Sequence, residues 1–164
     1  MKYIDWVINR EELKLYSLEK FDQEDGSIYG FIALNIGEFT IGFIEGADGT
    51  SEGDEDISFY VNQLINCGIA LQRNDVFSVR LLNSNLIEIR VHLDESVIVE
   101  VCDIQNDIKE FVCELSLDEF ISEIESAYLK FINDIEDINE SILKSKLIRN
   151  TSALYESFLK MLDC

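Results

Sequence analysis

The chain has 164 residues, of which 47% are hydrophobic, and its 33 acidic and 13 basic residues give a formal charge of −20. This length and composition fit one domain that buries a core without disulfides or metal, and they exclude a wholly disordered chain. The charge argues against nucleic acid and anionic membranes as ligands, and it favours basic proteins or cations.

The amino terminus does not resemble a secretory signal, since charged residues interrupt the apolar stretch of "MKYIDWVINREELK". No run of about 18 apolar residues occurs in the sequence, so no membrane span is predicted. The cysteines form no CxxC pair and have no metal-ligand spacing, and the chain contains one histidine, His92. We therefore expect a cytoplasmic protein with reduced thiols and no structural zinc. The four thiols are Cys67, Cys102, Cys113 and Cys164.

Residues 29–46, "YGFIALNIGEFTIGFIEG", predict two β-strands joined at "NIGE", where Gly37 suits a turn with positive φ. Residues 45–58, the acidic loop, follow with six acidic side chains, three glycines and no basic residue. Apolar residues then recur at helical spacing from Ile57 to Leu71, with Asp56 or an earlier carboxylate near the helix start. Gly68 is expected to weaken the end of this helix.

The acidic loop has part of the pattern of a calcium-binding EF-hand loop. Counting from Asp48 places Asp48, Thr50, Glu52 and Gly53 at the first four required positions. The twelfth position, which needs a bidentate glutamate, is Phe59, and a phenyl ring has no ligand oxygen. We therefore expect no stoichiometric calcium binding, and the sequence predicts no metal or other cofactor.

The negative charge is concentrated in two stretches of the sequence. Residues 21–72 contain ten acidic side chains and no Lys or Arg, and residues 91–143 contain fifteen acidic side chains against Lys109 and Lys130. Solubility of a small domain needs only about 2 to 8 net charges. A solvated face is one interpretation, and a docking surface for a basic partner protein is the other. The candidate partner-binding residues are Asp48, Glu52, Asp54, Glu55 and Asp56.

Residues 76–115 contain the clearest periodicity in the chain. Four strands are predicted, separated by short polar turns, at residues 76–82, 86–93, 97–104 and 109–115. In the second of them Ile87, Ile89 and Val91 share one face, while Arg90 and His92 share the other. Such alternation indicates an antiparallel meander with one buried face.

The period changes from two to 3.6 residues at Ser116. Ser116 and Glu119 form the pattern of a capping box, and the apolar stripe that follows predicts a helix from residue 117 to about 135 or 143. We expect this helix to pack across the meander, and "RNTS", residues 149–152, to separate it from a final helix. The predicted fold class is α+β, an antiparallel meander sheet with helices packed on one face and C-terminal helices. It forms a single domain, sheet-rich over 1–115 and helical over 116–164.

His92 is the only imidazole that could act in catalysis. It is predicted on the polar face of the meander beside Glu88 and Arg90, with Glu100 on the next strand. A general base needs an orienting partner and a nucleophile or water within reach, and the chain has no GxSxG, HExxH, Walker or GxGxxG motif. We predict that the protein is not an enzyme and has no catalytic residues. The alternative is a small enzyme or ligand-binding domain, which a deep polar pocket at His92 would favour.

Three parts of the sequence resemble a known class of protein. They are "FIALNIGEFTIGFIEG", the acidic loop that follows it, and "SLDEFISEIESAYLKFI". An acidic α+β domain of this size resembles the immunity proteins of bacterial polymorphic-toxin and contact-dependent inhibition systems. The resemblance extends over most of the chain in overall character. It implies tight binding and neutralisation of a cognate toxin domain, often a basic nuclease. Acidic anti-restriction DNA mimics are a second comparison, which shares the charge.

Overall fold

The computed structural model describes residues 3–24, 26–42, 55–81 and 84–164. These residues form an α+β fold with antiparallel sheets, as predicted. The strands are β1 (Ile4–Ile8), β2 (Tyr29–Ile36), β3 (Phe39–Gly42), β4 (Glu55–Asp56), β5 (Phe77–Leu81), β6 (Ser84–Leu93), β7 (Val97–Asp103) and β8 (Ile108–Leu115). The helices are α1 (Arg10–Leu13), α2 (Leu18–Gln23), α3 (Ile57–Gln72), α4 (Leu117–Asn139) and α5 (Lys146–Leu162), with a 3-10 turn at Glu140–Lys144.

The first sheet is built around β2, which pairs antiparallel with β1, β3 and β4. The predicted hairpin is confirmed for the described residues, and Gly37 has the expected positive φ, 60°. Strand β1 was not predicted, although its side chains alternate between buried and half-buried. Its buried residues are Ile4, Trp6 and Ile8.

The second sheet is the predicted meander, in the order β5-β6-β7-β8 with every pair antiparallel. Its inward face contains Ile89 and Val91 of β6 and Val97, Val99 and Val101 of β7, all buried. Helix α3, rather than α4, makes the main helical contact with β5 and β6. The expectation that α4 packs across the meander is therefore wrong, since its principal strand contact is with β1 of the other sheet.

Helix α3 begins at the acidic side chain that the sequence indicated. The Asp56 carboxylate accepts a hydrogen bond from the Phe59 N–H at 3.0 Å, and so caps the first turn. Gly68 lies within the helix rather than weakening its end, because the helix continues to Gln72. A β-carbon at Gly68 would lie 2.8 Å from Phe158 of α5, so the glycine allows these two helices to pack closely.

The capping box of α4 is confirmed by reciprocal hydrogen bonds. Ser116 Oγ accepts from the Glu119 N–H at 3.2 Å, and Glu119 Oε2 accepts from the Ser116 N–H at 3.0 Å. The predicted break at residues 149–152 is wrong, because α5 runs through it and the helices separate at residues 140–145 instead. Ser145 caps α5 by accepting from the Ile148 N–H at 3.3 Å. Thr151, which the sequence placed in the break, is buried.

One hydrophobic cluster joins the two sheets to α3, α4 and α5. Its largest fully buried side chains are aromatic: Phe21, Phe131 and Phe158. None of the described helices combines the length and the apolar character that spanning a membrane requires. The apolar faces of both sheets meet within this core, beside α3 and the start of α4. The cavity described below lies at this junction.

Candidate functional site

Only the last two residues proposed for partner binding lie in the described part of the chain. Asp48, Glu52 and Asp54 fall outside it, so their role stays a prediction. Glu55 and Asp56 are half-buried, and together they form β4. The Tyr60 hydroxyl donates to Glu55 at 3.4 Å, whereas Asp56 holds the start of α3. Asp56 therefore has a structural role that any binding experiment on the acidic loop must take into account.

His92 lies on the face of the meander opposite to the core, as predicted, and it is half-buried. Neighbouring side chains on this face form two ion pairs, one within β6 and one between β7 and β8. Arg90 pairs with Glu88 at 2.8 Å, and Lys109 pairs with the buried Glu100. These contacts show how the basic residues of the meander offset its carboxylates.

The described residues contain no cluster of three or more His, Cys, Asp or Glu side chains placed to hold a metal ion. Phe59, at the position where a calcium loop needs its closing carboxylate, lies in the first turn of α3. Its ring packs edge-to-face against Tyr60, with centroids 5.4 Å apart and planes at 83°. The other positions of the calcium-loop pattern, residues 48–53, lie outside the described residues.

A partly open cavity of about 110 Å³ lies where the inward faces of the two sheets meet. Its walls are almost entirely apolar, and they come from elements that are distant in sequence. β2 contributes Leu34 and Ile36, α3 contributes Leu64, and the meander contributes Val79 and Val99. The cavity is on the opposite side of the meander from His92, so it differs from the polar pocket that would favour an enzyme.

One end of the cavity carries negative and hydrogen-bond-accepting groups. Glu123 of α4 forms part of the lining, and its Oε1 accepts from the Tyr3 N–H at 2.7 Å and the Ile4 N–H at 3.3 Å. Burial raises the pKa of the lining residue Tyr3, and the nearby Glu119 carboxylate raises this pKa further. The phenol is thus neutral at pH 7, with carboxylates as its neighbours.

Two cysteines that line the cavity, Cys113 and Cys67, also have raised pKa values. Cys113 of β8 lines the cavity and is half-buried. Burial raises the pKa of its thiol, and the adjacent Glu114 carboxylate adds to the effect. Cys67 of α3 lines the same cavity, and burial raises its pKa strongly. Both thiols are therefore protonated at pH 7, and they act as small apolar groups.

The segment that contributes Cys113, Phe120 and Glu123 to the cavity is acidic, and four of its side chains form what we term the α4 cluster. Glu114, Asp118 and Glu119 are exposed and Glu125 is half-buried. Residues 110–129 contain no Lys or Arg. The sequence placed the cluster within an acidic stretch but not among the candidate partner-binding residues. The signal that could have identified it is the run of twenty residues without a basic side chain.

Comparison with known proteins identifies no relative of this chain. No protein-family model matches it, and neither does any curated protein or solved structure. The charge and geometry of the described residues therefore carry the functional interpretation.

Proposed function

We propose that this protein binds a basic partner protein through its acidic surface, and that the partner is a toxin domain which binding neutralises. This is the function implied by the resemblance to immunity proteins. The observation that carries the proposal is the α4 cluster, because the segment that carries it also lines the apolar cavity, through Cys113, Phe120 and Glu123, and has no basic residue in residues 110–129. Interfaces combine these two elements, a charged rim and an apolar centre.

The charge of the chain favours rapid encounter with a basic partner. A formal charge of −20 produces a one-signed field over much of the surface, which steers an oppositely charged protein during diffusion. Electrostatic steering mainly raises the association rate, and the final complex depends more on buried contacts. We expect the α4 cluster and the acidic loop to contribute to association in this way.

Complementarity of charge also explains why binding would inhibit such a partner. A nuclease holds the phosphates of its substrate with Lys and Arg, so its substrate groove is positively charged. An acidic surface that covers this groove excludes the nucleic acid and leaves the basic side chains paired. In this proposal the chain inhibits its partner by blocking the partner's substrate groove, and it performs no chemistry itself.

The first experiment compares three charge variants. The α4 variant carries E114Q, D118N, E119Q and E125Q, and the glutamine at 119 can still complete the capping box. The loop variant carries E52Q, D54N and E55Q, and it leaves Asp56 intact because this residue caps α3. The control neutralises four exposed acids of α4, α5 and their flanking turns, and it matches the charge change of the α4 variant. It carries E136Q, E140Q, E156Q and D163N.

The partner is captured on immobilised protein from the native cell, identified by mass spectrometry and purified for stopped-flow measurements. We expect a basic protein whose activity is lost at one equivalent of this chain. At low salt, the α4 variant should associate about tenfold more slowly than the control. The difference should disappear near 1 M salt, where the Debye length is about 3 Å. Equal rates for all variants, or a partner that remains active when bound, would refute the proposal.

A further inference from the structure

We infer that the apolar cavity receives one aromatic or branched aliphatic side chain of the basic partner, carried on a segment whose neighbouring residues are Lys or Arg. This inference rests on the proposed function, and it specifies the chemistry of the anchoring contact. It draws on the size of the cavity, on the character of its walls and on the charge at its edge.

The size of the cavity fits one side chain. Its volume is about 110 Å³. An engineered apolar cavity of about 150 Å³ in another protein binds benzene, so a volume of this order holds a small ring or a branched aliphatic group. A void of this size is uncommon in protein interiors, which are close-packed. An occupant would restore the packing contacts that the lining side chains now lack.

The walls select an apolar occupant. Leu64, Phe77 and Val79 line the cavity and are only half-buried, so apolar surface remains in contact with solvent. Filling the cavity removes this surface from water, which is favourable in proportion to the area buried. A polar group at the same place would lose its hydrogen bonds to water, because the lining offers few partners.

The edge of the cavity selects the charge of the residues next to the anchor. Glu119 lies near Tyr3, Glu123 lies in the wall beside it, and Glu114 is adjacent to Cys113. A Lys or Arg flanking the anchor would meet these carboxylates, whereas an acidic segment would be repelled. The cavity and the α4 cluster therefore favour the same partner, a basic segment with one large apolar residue.

The two features would act at different stages of binding. The carboxylates raise the encounter rate, and the side chain in the cavity slows dissociation, as buried anchors do at other interfaces. Variants of the cavity should therefore change mainly the dissociation rate. Variants of the α4 cluster should change mainly the association rate, so the two contributions can be separated by kinetics.

The test uses variants that fill the cavity. C113F places a ring in the cavity from β8, and V112F is its matched control, because Val112 lies on the opposite face of the same strand and is 49% exposed. V79F fills the cavity from β5, with S78F as the control on the exposed face of that strand. The second pair serves if C113F does not fold, as judged by circular dichroism and thermal unfolding.

The probes are two capped peptides, Lys-Arg-Phe-Lys-Arg and Lys-Arg-Ser-Lys-Arg, titrated into isotopically labelled protein and followed by NMR. We expect the Phe peptide to bind about tenfold more tightly than the Ser peptide, because burial of the ring adds to the shared charge contacts. Its shift changes should centre on Leu64, Val79 and Cys113. The difference should vanish in C113F and persist in V112F. Equal binding of the two peptides, or a difference that survives in the filled variants, would overturn the inference.

The captured partner separates this inference from the proposed function. We expect the partner to dissociate about tenfold faster from C113F than from V112F. A partner that is inhibited but leaves both variants at the same rate refutes the cavity contact and supports the proposed function. Tighter binding of the Phe peptide, together with a capture experiment that yields no basic partner, supports the cavity contact and refutes the proposed function. A small molecule found in the purified protein by native mass spectrometry and displaced in C113F would overturn the inference in favour of a ligand pocket.

Discussion

Gly68 of α3 and Phe158 of α5 are so close that a β-carbon on the glycine would lie 2.8 Å from Cε2 of the ring. The same β-carbon would lie 2.5 Å from Cδ1 of Ile124 in α4. The glycine is therefore the point at which three helices meet. A glycine inside a helix is about 1 kcal/mol less favourable than alanine, and here the close packing of α3 with α5 offsets this penalty.

We predict that G68A lowers the free energy of unfolding by about 1 to 3 kcal/mol, the usual effect of overpacking a core. Helix propensity alone predicts the opposite sign, a gain of about 1 kcal/mol. Denaturant unfolding followed by circular dichroism measures the change. S126A, an exposed alanine substitution on α4, is the control. Adding F158L to G68A should recover part of the loss, and a G68A protein as stable as the wild type would contradict the packing argument.

The meander and the first turns of α3 and α4 could be predicted because local sequence determines them. Alternation in residues 86–93 identifies a half-buried strand, and Ser116 with Glu119 fixes the start of α4 through contacts three residues apart. Strand β1 was missed because one of its two half-buried positions also carries an apolar side chain. Val7, between the buried Trp6 and Ile8, obscures the period of two.

The boundary between α4 and α5 was misplaced for a physical reason. The polar side chains of residues 149–152 suggest a loop. In the structure Thr151 is buried, and its hydroxyl donates to Asn62 of α3 at 2.9 Å. The real end of α4 is fixed by Asn139, whose side chain donates to the carbonyl oxygens of Leu13 and Tyr16 at 2.9 and 2.8 Å. Both contacts join residues far apart in sequence, so no local pattern could indicate them.

The candidate site was predictable only in its charge. Acidic stretches are visible in the sequence, and the α4 cluster lies within one of them. The cavity, in contrast, depends on how two sheets and two helices meet, and its lining extends from Tyr3 to Glu123. Apart from Gln63 and Glu123, the lining residues have the sequence pattern of ordinary core positions. The imperfect fit between the layers, rather than any single residue, creates the void.

The role of Asp56 gives a second prediction, which separates folding from binding in the acidic loop. D56A should lower the free energy of unfolding by about 1 kcal/mol, because the N–H of Phe59 loses its capping acceptor. D56N should lower it much less, since asparagine is also a good N-cap. Thermal and denaturant unfolding give the values, with the exposed E95A as the control. A D56A protein as stable as the wild type would show that the cap contributes nothing.

The capping box of α4 gives a prediction about pH. The backbone N–H and then the hydroxyl of Ser116 hold the pKa of Glu119 below its ordinary value. A carboxyl group with a lowered folded-state pKa stabilises the fold above its unfolded pKa, and this contribution is lost as the pH falls through the folded value. S116A removes the hydroxyl and should raise the Glu119 pKa towards its ordinary value. Carboxyl-detected NMR titration measures this pKa, with E119Q identifying the resonance.

The S116A protein should also lose less stability than the wild type between neutral and acidic pH, because less of its stability depends on the ionised carboxylate. Unfolding measured at both pH values tests the sign. An unchanged Glu119 pKa in S116A would mean that the backbone N–H alone sets it. In that case the serine hydroxyl would accept a hydrogen bond from the Glu119 N–H without stabilising the ionised carboxylate.

The four thiols should react with an alkylating reagent in an order set by burial and pKa. Cys164 is exposed and should react first. Cys113 is half-buried with a raised pKa, so it should react slowly, since the thiolate is the reactive form. Cys67 and Cys102 are buried, and burial raises the pKa of each, so they should react only on unfolding. Mass spectrometry of peptides from a time course at pH 8 gives each rate, and labelling of Cys67 in the native protein as fast as Cys164 would contradict the order.

The same measurement reports on the cavity, because Cys113 and Cys67 line it. A bound Phe peptide should slow the alkylation of Cys113 and leave the rate at Cys164 unchanged, whereas the Ser peptide should slow neither. Charge alone would act on both peptides equally, because they carry the same four basic residues. Protection by the Phe peptide only would therefore locate the ring beside the β8 wall. Protection by both peptides would instead indicate that they bind at the carboxylates of the α4 cluster without entering the cavity.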